Sequence, residues 1–338
     1  MLSAGELSKL LSSPALNSKA RRKGTSMSKP RLMIGLGEVL WDLLPSGKLL
    51  GGAPTNFAYM ATVLGNRGLV ASRVGEDELG REARHAMDNL GVSTLFLQKD
   101  VVHETGTARV SLDTAGHPEF FIDAPVAWDF LEWTTEWEQL ASRADVVCYG
   151  SLAQRSAVSA DTIEKFLRAT PRHTLRICDA NVRKPFYSIE VLRKSFRYAD
   201  IVKLNEQELA YVSPLVGGSH LDDLEIARRL LKEFNLQMIC ITKGSAGSSL
   251  VTASEVESHS GFSVAVADSI GAGDAFTACV AHYFGSGMPL RQMNELANRI
   301  AAWVATQVGA TPLLTPAKLK ELTEETLIDG VTPYCNAP

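Results

Sequence analysis

Residues 268–281 read DSIGAGDAFTACVA, a glycine loop bounded by two aspartates and followed by a run of small residues. Glycine tolerates backbone conformations that aim successive N–H groups at one point, which makes a nest for an anion. A helix that starts at the loop adds unsatisfied N–H groups and the positive end of its dipole. The small residues also let a phosphate approach the backbone closely. The stretch therefore predicts an anion hole formed by Gly271, Ala272 and Gly273 at the start of a helix.

Asp274 is the acidic side chain at that helix start. A carboxylate beside an anion hole is unfavourable for anion binding alone, but it suits a base that accepts a hydroxyl proton during phosphoryl transfer. The alternative is an ordinary helix N-cap after a tight turn. The loop does not fit the dinucleotide fingerprint, because Phe276 stands at the third glycine position, and the chain has no G-x-x-x-x-G-K-[ST] segment. These two facts disfavour a dehydrogenase and exclude a P-loop protein.

Outside this loop, short apolar runs rich in β-branched residues alternate with stretches of helical period. One helix pattern is Phe57, Met60, Ala61 and Leu64, spaced i, i+3, i+4 and i+7. Alternating strands and helices predict an α/β fold with a mostly parallel sheet covered on both faces, which binds ligands at the carboxyl ends of its strands. The candidate strands are 32–37, 69–74, 145–149, 175–179, 201–204, 238–242 and 249–251.

Two segments, 39–50 and 107–123, break this rhythm. Each is extended around a cluster of turn residues, Pro45-Ser46-Gly47 in the first and Thr114 to Pro118 in the second, with no helix between its halves. Each therefore predicts a β-hairpin. Together they predict a small β lid laid over one end of the sheet.

Composition and charge narrow the class of protein. The 338 residues are 45% apolar and 21% charged, as in an ordinary soluble globular protein, and they contain no run of eighteen apolar residues that would span a membrane. Residues 1–30 hold six of the 34 Lys and Arg residues and one of the 38 acidic residues, so the remainder carries 28 basic against 37 acidic side chains. This acidic excess disfavours a nucleic-acid partner.

The same asymmetry predicts the domain limits. Residues 1–30 are expected to be a disordered extension, with a targeting peptide as the alternative. Residues 31–325 are expected to form the domain, and 326–338 a tail. The five cysteines form no C-x-x-C pair and are odd in number, which favours a reducing compartment, and thus a cytoplasmic protein, over a disulfide or zinc framework.

A second motif, Gly51-Gly52-Ala-Pro-Thr-Asn56, joins the first hairpin to the first long helix. Asn56 can offer both a donor and an acceptor to a polyol, and Asp42 on the adjoining extended piece can accept hydrogen bonds from two sugar hydroxyls. The alternatives are a plain loop-to-helix junction and a solvated edge-strand charge. Each motif taken alone favours these plainer interpretations.

Two further polar segments follow strands. Asn205 and Glu208, after the strand at 201–204, are placed for a Mg²⁺ ion, which keeps waters and takes few protein ligands. The same pair fits a helix capping box, and the two interpretations are compatible. Thr242, Gly244 and Gly247, after the strand at 238–242, can contact phosphate or ribose; the alternative is a plain turn between two strands.

The order of these motifs resembles the ribokinase family of carbohydrate kinases, of the phosphofructokinase-B type. The resemblance rests on Gly-Gly-Ala-x-x-Asn, Asn-x-x-Glu, Thr-x-Gly-x-x-Gly and Gly-Ala-Gly-Asp in that order, and it runs from about Arg31 to about Leu322. It implies a three-layer α/β/α domain with a small β lid, which agrees with the two hairpins. It also implies ATP as phosphoryl donor, Mg²⁺, and in some members a monovalent cation such as K⁺.

The resemblance assigns roles residue by residue. Asp274 would be the catalytic base, with the anion hole at Gly271, Ala272 and Gly273. The remaining roles would fall to Asp42, Gly52, Asn56 and Arg183 for the sugar, Thr242, Gly244, Gly247 and Asn298 for the nucleotide, Asn205 and Glu208 for Mg²⁺ through water, and Asp268 and Ile270 for the monovalent cation.

Among the family members, the segments Gly37–Asp42, Gly150–Ala153 and Asp179–Arg183 look most like fructokinases. Ketodeoxygluconate kinases share the Asp-x-Asn-x-Arg motif, but the lid stretch Glu119–Asp123 lacks their carboxylate-binding Arg. Ribokinases use a Glu where Ser151 stands. A nucleotide-binding regulator on the same fold would not need Asp274. The expected partners are a sugar and ATP, and exposed lid edges suggest a homodimer.

Overall fold

In the computed structural model the described residues are 29–45, 47–112, 118–183, 185–218 and 220–324. The predicted extension at 1–30 and tail at 326–338 lie almost entirely outside them. Thirteen strands and ten α-helices are present in this part of the chain. The strands are β1 Leu32–Leu36, β2 Leu40–Leu44, β3 Gly47–Gly51, β4 Arg67–Gly75, β5 Leu97–Asp100, β6 Gly106–Leu112, β7 Pro118–Ile122, β8 Val146–Tyr149, β9 Leu175–Asp179, β10 Ile201–Asn205, β11 Met238–Thr242, β12 Ser248–Val251 and β13 Val256–His259. The helices are α1 Ala53–Val63, α2 Glu78–Asn89, α3 Thr135–Ala141, α4 Ala157–Ala169, α5 Ile189–Phe196, α6 Glu206–Val212, α7 Asp223–Phe234, α8 Ala272–Tyr283, α9 Leu290–Ala305 and α10 Pro316–Glu324.

Nine strands form the central sheet in the order β13-β12-β11-β10-β9-β8-β1-β4-β5. Every neighbouring pair from β11 to β5 is parallel, and only the β11–β12 and β12–β13 pairs are antiparallel. The mostly parallel sheet predicted from the sequence is therefore confirmed. All seven predicted strands are present, and β5 and β13 are two edge strands that the apolar patterns did not indicate.

The inner strands of the central sheet are mostly apolar because their side chains are buried on both faces of the sheet. Along β1, Met33 packs in the cluster that includes Phe57 of α1 and Phe276 of α8. Its neighbour Ile34 belongs to the cluster on the opposite face, with Phe166 of α4. Successive side chains of a strand point to opposite faces, so this split places helices on both sides of the sheet. The architecture is the expected three-layer α/β/α domain.

A second, four-stranded sheet has the order β3-β2-β6-β7 and corresponds to the predicted lid. Strands β2 and β3 form one hairpin, β6 and β7 form the other, and β2 pairs with β6 in parallel. The register Asp42↔Ala108↔Ile122 places these three side chains on one face. All three are buried, so this is the face of the lid turned toward the body of the protein.

Across the described ranges, no helix is long and apolar enough to cross a membrane.

Candidate active site

The predicted site residues converge at one edge of the sheet. Strands β9, β10 and β11 are parallel neighbours, and they end at Asp179, Asn205 and Thr242. Strand β1, which is separated from β9 by β8, is parallel to these strands and leads through Gly37 and Glu38 into the lid. Ligands of open α/β sheets bind at this carboxyl edge. The fold therefore brings the polar loops that follow these strands to one side of the molecule.

The glycine loop forms the N-terminus of α8, as predicted. Gly271 is the N-cap residue and has a left-handed backbone, with φ 81°. A Cβ there would lie 2.6 Å from the Cα of Ala310, so both conformation and packing require glycine. Among the described side chains none caps this helix, so its first N–H groups remain available to an anion.

Asp274 lies in the first turn of α8 and is half-buried. Its Oδ2 accepts a hydrogen bond of 2.7 Å from Nδ2 of Asn56, and no other hydrogen bond reaches this carboxyl group from the described residues. Burial raises the pKa of Asp274 to about 7, with a further contribution from the charge of Asp179. The hydrogen bond from Asn56 and the positive charges of Lys203 and Arg183 act in the opposite direction. A carboxyl group with this pKa is suited to exchange protons near neutral pH.

A buried ion pair lies beneath Asp274. The ammonium Nζ of Lys203 in β10 is 3.1 Å from Oδ1 of Asp179 in β9, and both side chains are at most 10% exposed. The other oxygen of Asp179 accepts a hydrogen bond of 2.9 Å from the hydroxyl of Thr277, one turn after Asp274. A Cβ on Gly273 would lie 3.1 Å from the Lys203 ammonium. The pair therefore ties the sheet to the first turn of α8.

The charges around Lys203 keep it protonated. Burial favours its neutral form, but the carboxyl groups of Asp179, Glu208 and Asp274 outweigh burial and raise the pKa of the ammonium above its ordinary value. Neither Lys203 nor Thr277 was singled out from the sequence. A lysine in the middle of an apolar parallel strand was the available signal, since buried lysines are almost always paired.

Two of the predicted sugar-binding residues act on Asp274, Asn56 through its hydrogen bond and Arg183 through its charge. Asp42 in β2 is 9% exposed, and burial raises its pKa to about 6, while the charge of Arg183 opposes this shift. A Cβ on Gly51 would lie 2.3 Å from Oδ2 of Asp42, and Gly52 has a φ of 99°. The paired glycines thus leave room for the Asp42 carboxyl group and turn the chain into α1, which carries Asn56.

Arg183 follows β9 and lines a cleft of about 1090 Å³ between the lid and the body. Its positive charge lowers the pKa of three carboxyl groups, those of Glu38, Asp42 and Asp274. Within the described ranges its guanidinium forms no hydrogen bond or ion pair. An unpaired arginine facing this cleft is able to bind an anion or a polar substrate.

Asn205 and Glu208 form the capping box of α6. The side chain of Asn205 accepts from the N–H of Glu208, and Oε2 of Glu208 accepts from the N–H of Asn205, both at 2.8 Å. The other oxygen of Glu208 accepts from the N–H of Val182, also at 2.8 Å. The capping interpretation is therefore confirmed, and both carboxylate oxygens already have protein partners. A role of this pair toward Mg²⁺ stays a prediction.

The other predicted nucleotide contacts lie in a tight turn and a buried network. Gly244 and Gly247 occupy the turn that joins β11 to antiparallel β12, and a Cβ on Gly247 would lie 1.9 Å from the carbonyl oxygen of His259. The plain-turn interpretation thus explains Gly247 by packing. Thr242 ends β11 and donates from its hydroxyl to the carbonyl of Leu204 at 3.5 Å.

Asn298 in α9 is 7% exposed. Its amide donates to the hydroxyl of Ser248 at 2.8 Å and to the carbonyl of Asn294 at 2.7 Å. Its amide hydrogens are therefore used within the protein, and its expected contact with adenine stays a prediction.

Asp268 and Ile270 precede the anion hole. The two carboxylate oxygens of Asp268 accept from the N–H groups of Ile270 and Gly309, at 2.9 and 3.2 Å. This arrangement fixes the loop against the segment after α9. In the part of the chain that the structure describes, no cluster of three or more His, Cys, Asp and Glu side chains is arranged to hold a metal ion.

The lid does contain an arginine, Arg109 in β6, which the stretch Glu119–Asp123 alone did not reveal. It pairs in register with Phe121 and therefore belongs to the face opposite Asp42, Ala108 and Ile122. Its side chain is 63% exposed and forms an ion pair of 2.5 Å with Asp123. Arg109 nevertheless lines the cleft between the lid and the body, together with Phe121 and Asp123.

Comparisons with known proteins agree with this architecture. A family model described as pfkB family carbohydrate kinase matches residues 47–317. The chain is 33% identical over 303 residues to a fructokinase from Escherichia coli, covering 82% of this chain and 94% of that protein. A fructokinase from Xylella fastidiosa, solved with bound ATP, superposes with a TM-score of 0.77 at 23% identity and covers 88% of this chain and 99% of that one.

A double-mutant fructokinase from Vibrio cholerae O395 also has this fold. It was solved with fructose, ADP and potassium ion bound, and it superposes with a TM-score of 0.74 at 24% identity. The match covers 89% of this chain and 100% of that one.

Proposed function

The chain belongs to the pfkB family of carbohydrate kinases, ATP-dependent enzymes that phosphorylate sugars, and we propose that it is a fructokinase with Asp274 as general base. The observation that carries the catalytic part is the position of Asp274. Its carboxyl group stands in the first turn of an uncapped helix, held by Asn56 at 2.7 Å and with a pKa of about 7. The base and the anion hole are thus next to each other.

Asp274 takes the proton of the acceptor hydroxyl. Its Oδ2 is engaged by Asn56, which leaves Oδ1 for the sugar. As the hydroxyl oxygen attacks the γ-phosphorus of ATP, a new P–O bond forms, the bond to the β-phosphate oxygen breaks, and the proton moves to Asp274. The products are the sugar phosphate and ADP, and the base later returns its proton to solvent. Such proton transfer contributes about 10²–10⁴ in rate.

Positioning and electrostatics supply the rest of the acceleration. The N–H groups of Gly271, Ala272 and Gly273 offer hydrogen bonds and a positive helix terminus to the transferring group. Arg183 adds a positive charge from the cleft side. Lys203 and Asp179 hold the loop from below, so these groups need little rearrangement during the reaction.

The oxygens of Asn205 and Glu208 suit a Mg²⁺ ion that is held mainly by phosphate and water. Asn205 and Glu208 would organise it, because their oxygens border the cleft while already accepting main-chain hydrogen bonds. When bound, Mg²⁺ neutralises charge on the phosphates. Asp268 and Ile270 are proposed to border a monovalent cation, and the potassium in the Vibrio cholerae structure supports this proposal.

Fructose is proposed as acceptor on two grounds. The Escherichia coli relative, 33% identical, is a fructokinase. Asp42, buried on the face of the lid turned toward the body, can accept hydrogen bonds from hydroxyls of a neutral polyol. Arg109 and Arg183 both line the cleft, so 2-keto-3-deoxygluconate is kept as the alternative acceptor.

The test is ADP release from ATP and Mg²⁺ with single acceptors: fructose, ribose, 2-keto-3-deoxygluconate, adenosine and none. We expect turnover with fructose well above that with every other acceptor. Preferred turnover with 2-keto-3-deoxygluconate would overturn the choice of sugar but keep the role of Asp274. No turnover with any acceptor, despite ATP binding, would overturn the kinase mechanism for this chain.

Two further properties are proposed with this function. A homodimer is supported by the lid edges, since β3 and β7 have no outer neighbour in the described sheet. Sedimentation of the purified protein tests it. A cytoplasmic location is supported by Cys148, Cys178, Cys240 and Cys279, which are buried free thiols suited to a reducing compartment.

A further inference from the structure

Glu38 is a buried carboxyl group outside the residues proposed for the sugar, the nucleotide and the ions. It lies directly after β1, where the chain turns toward the lid, and is 2% exposed. A Cβ on Gly52 would lie 2.6 Å from its carbonyl oxygen, so the segment runs against the residues that start α1. Burial raises the pKa of Glu38 to about 7, with a contribution from the charge of Asp274, while Arg183 and the N–H groups of Glu38 and Ala53 oppose it. Glu38 therefore belongs to the same charge cluster as Asp274.

One oxygen of this carboxyl group has no partner. Oε2 of Glu38 is out of contact with solvent and accepts no hydrogen bond from the described residues. Folded proteins rarely leave buried polar atoms unsatisfied, and those that occur call for an explanation. Among the described side chains, the other buried oxygens without a partner are Thr55 Oγ1, Asn56 Oδ1 and Ser72 Oγ.

Three of these four oxygens lie around the start of α1. Thr55 and Asn56 are in its first turn, and Glu38 borders Gly52, its N-cap residue. Asn56 donates from Nδ2 to Asp274, so its unpartnered Oδ1 and Oε2 of Glu38 both belong to groups that interact with the base. Two unpartnered acceptor atoms on groups that interact with the base would be satisfied by an occupant that brings hydrogen-bond donors, and sugar hydroxyls are such donors.

We propose that Glu38 is a further acceptor-binding residue of this kinase, with Oε2 accepting a hydrogen bond from a sugar hydroxyl beside the one that Asp274 deprotonates. This proposal rests on the proposed function. The competing explanation is that Glu38 only caps α1, which has no other side-chain cap. Capping through one oxygen would leave Oε2 without a partner, whereas a bound hydroxyl satisfies it.

The test is a mutant cycle between the protein and the sugar. Glu38→Gln replaces one acceptor oxygen with an amide donor, and Glu38→Met has a similar shape but forms no hydrogen bond. Each is assayed for kcat/KM with fructose and with single-deoxy fructoses that keep the phosphorylated hydroxyl. Glu190→Gln, at the exposed start of α5, is the matched control. The ATP-induced rise in Tm shows whether each variant is folded; if Glu38→Met fails to fold, Glu38→Gln carries the test.

We expect Glu38→Met to lower kcat/KM for fructose by roughly tenfold or more, through the KM for the sugar, while the KM for ATP is unchanged. One deoxy analogue should lose a similar factor in the wild type and almost nothing further in the variant, because the same hydrogen bond is already missing. If the loss in kcat/KM caused by the variant multiplied with the loss caused by every analogue, the two effects would be independent. That result would overturn the proposal and leave Glu38 as a helix cap. No turnover of any fructose by the wild type would instead overturn the proposed function, and with it this role.

Discussion

The two sides of the active site differ in how far the protein satisfies its own polar groups. On the predicted nucleotide side, both oxygens of Glu208 accept main-chain hydrogen bonds, and the amide of Asn298 is used by Ser248 and Asn294. On the acceptor side, Glu38 Oε2 and Asn56 Oδ1 have no partner among the described residues. The protein itself satisfies the polar groups of the first side, and we propose that a bound sugar satisfies those of the second.

The acceptor side also holds the carboxyl groups with raised pKa values. Burial raises the pKa of Glu38 and Asp274 to about 7 and that of Asp42 to about 6, so the acceptor side holds three carboxyl groups that resist ionisation. Burying unpaired charge is expensive, and proteins keep such groups mainly where function needs them. The difference favours our proposal that side chains on the nucleotide side shape the loops, whereas those on the acceptor side contact the substrate.

The largest expected effect tests the base itself. Asp274→Asn keeps the shape of the side chain but cannot accept the hydroxyl proton, so we expect turnover of fructose to fall by roughly 10² or more. The ATP-induced rise in Tm should remain. Asp161→Asn, on the exposed part of α4, is the control. Near-normal turnover by Asp274→Asn would show that Asp274 is not the general base.

The second prediction concerns the ion pair beneath the base. Asp274 must be ionised to accept a proton, so kcat/KM should fall as the pH drops through its pKa. Lys203→Met removes a positive charge that favours the carboxylate, so the acid limb of the pH profile should move up by about one pH unit. Because Asp179 is left buried without its partner, the variant should also lose about 3–5 kcal/mol of stability.

The double variant Lys203→Met/Asp179→Asn separates these two effects. It removes a charge that lowers the pKa of Asp274 together with one that raises it, so its acid limb should return toward that of the wild type. An acid limb that stays in place in the single variant, measured below its Tm, would show that Lys203 does not act on the base.

The third prediction disturbs Asp42 without removing a polar group. A Cβ on Gly51 would lie 2.3 Å from Oδ2 of Asp42, so Gly51→Ala should displace this carboxyl group. We expect the KM for fructose to rise roughly tenfold, since small displacements of substrate-positioning groups are costly. The KM for ATP serves as the internal control. Equal changes in both KM values would argue against a separate acceptor side.

The smallest expected effect is on stability and comes from the nucleotide side. Glu208→Gln keeps one acceptor oxygen where the structure has two main-chain N–H donors, so it should cost about 1–3 kcal/mol and lower Tm by a few degrees. Glu206→Gln, exposed in the same helical turn, is the matched control. If Glu208→Gln left Tm unchanged but greatly raised the Mg²⁺ concentration needed for activity, Glu208 would act on the metal and not on the loop. That result would contradict the difference drawn between the two sides.

Local patterns in the sequence were sufficient for much of this structure. The glycine loop at Gly271, the two lid hairpins and the capping box of Asn205 and Glu208 each depend on neighbours within a few residues. The strands β5 and β13 were not predicted because they are four-residue edge strands, LQKD and VESH, with weak apolar patterns.

Long-range contacts were not accessible in the same way. Lys203 and Asp179 are 24 residues apart and meet only because β9 and β10 are neighbours in the sheet. The unpartnered oxygen of Glu38 can be identified only from the three-dimensional positions of all the hydrogen-bond donors around it. The face of the lid on which Arg109 lies likewise follows from strand register, which a stretch of lid sequence alone does not fix.

The most direct test of the account is a crystal structure of the protein with fructose and a non-hydrolysable ATP analogue. We predict a sugar hydroxyl about 3 Å from Oδ1 of Asp274, a second hydroxyl on Oε2 of Glu38, and the γ-phosphate at the N–H groups of Gly271 to Asp274. A sugar whose hydroxyls approach neither carboxyl group, or a γ-phosphate bound away from the start of α8, would contradict the account.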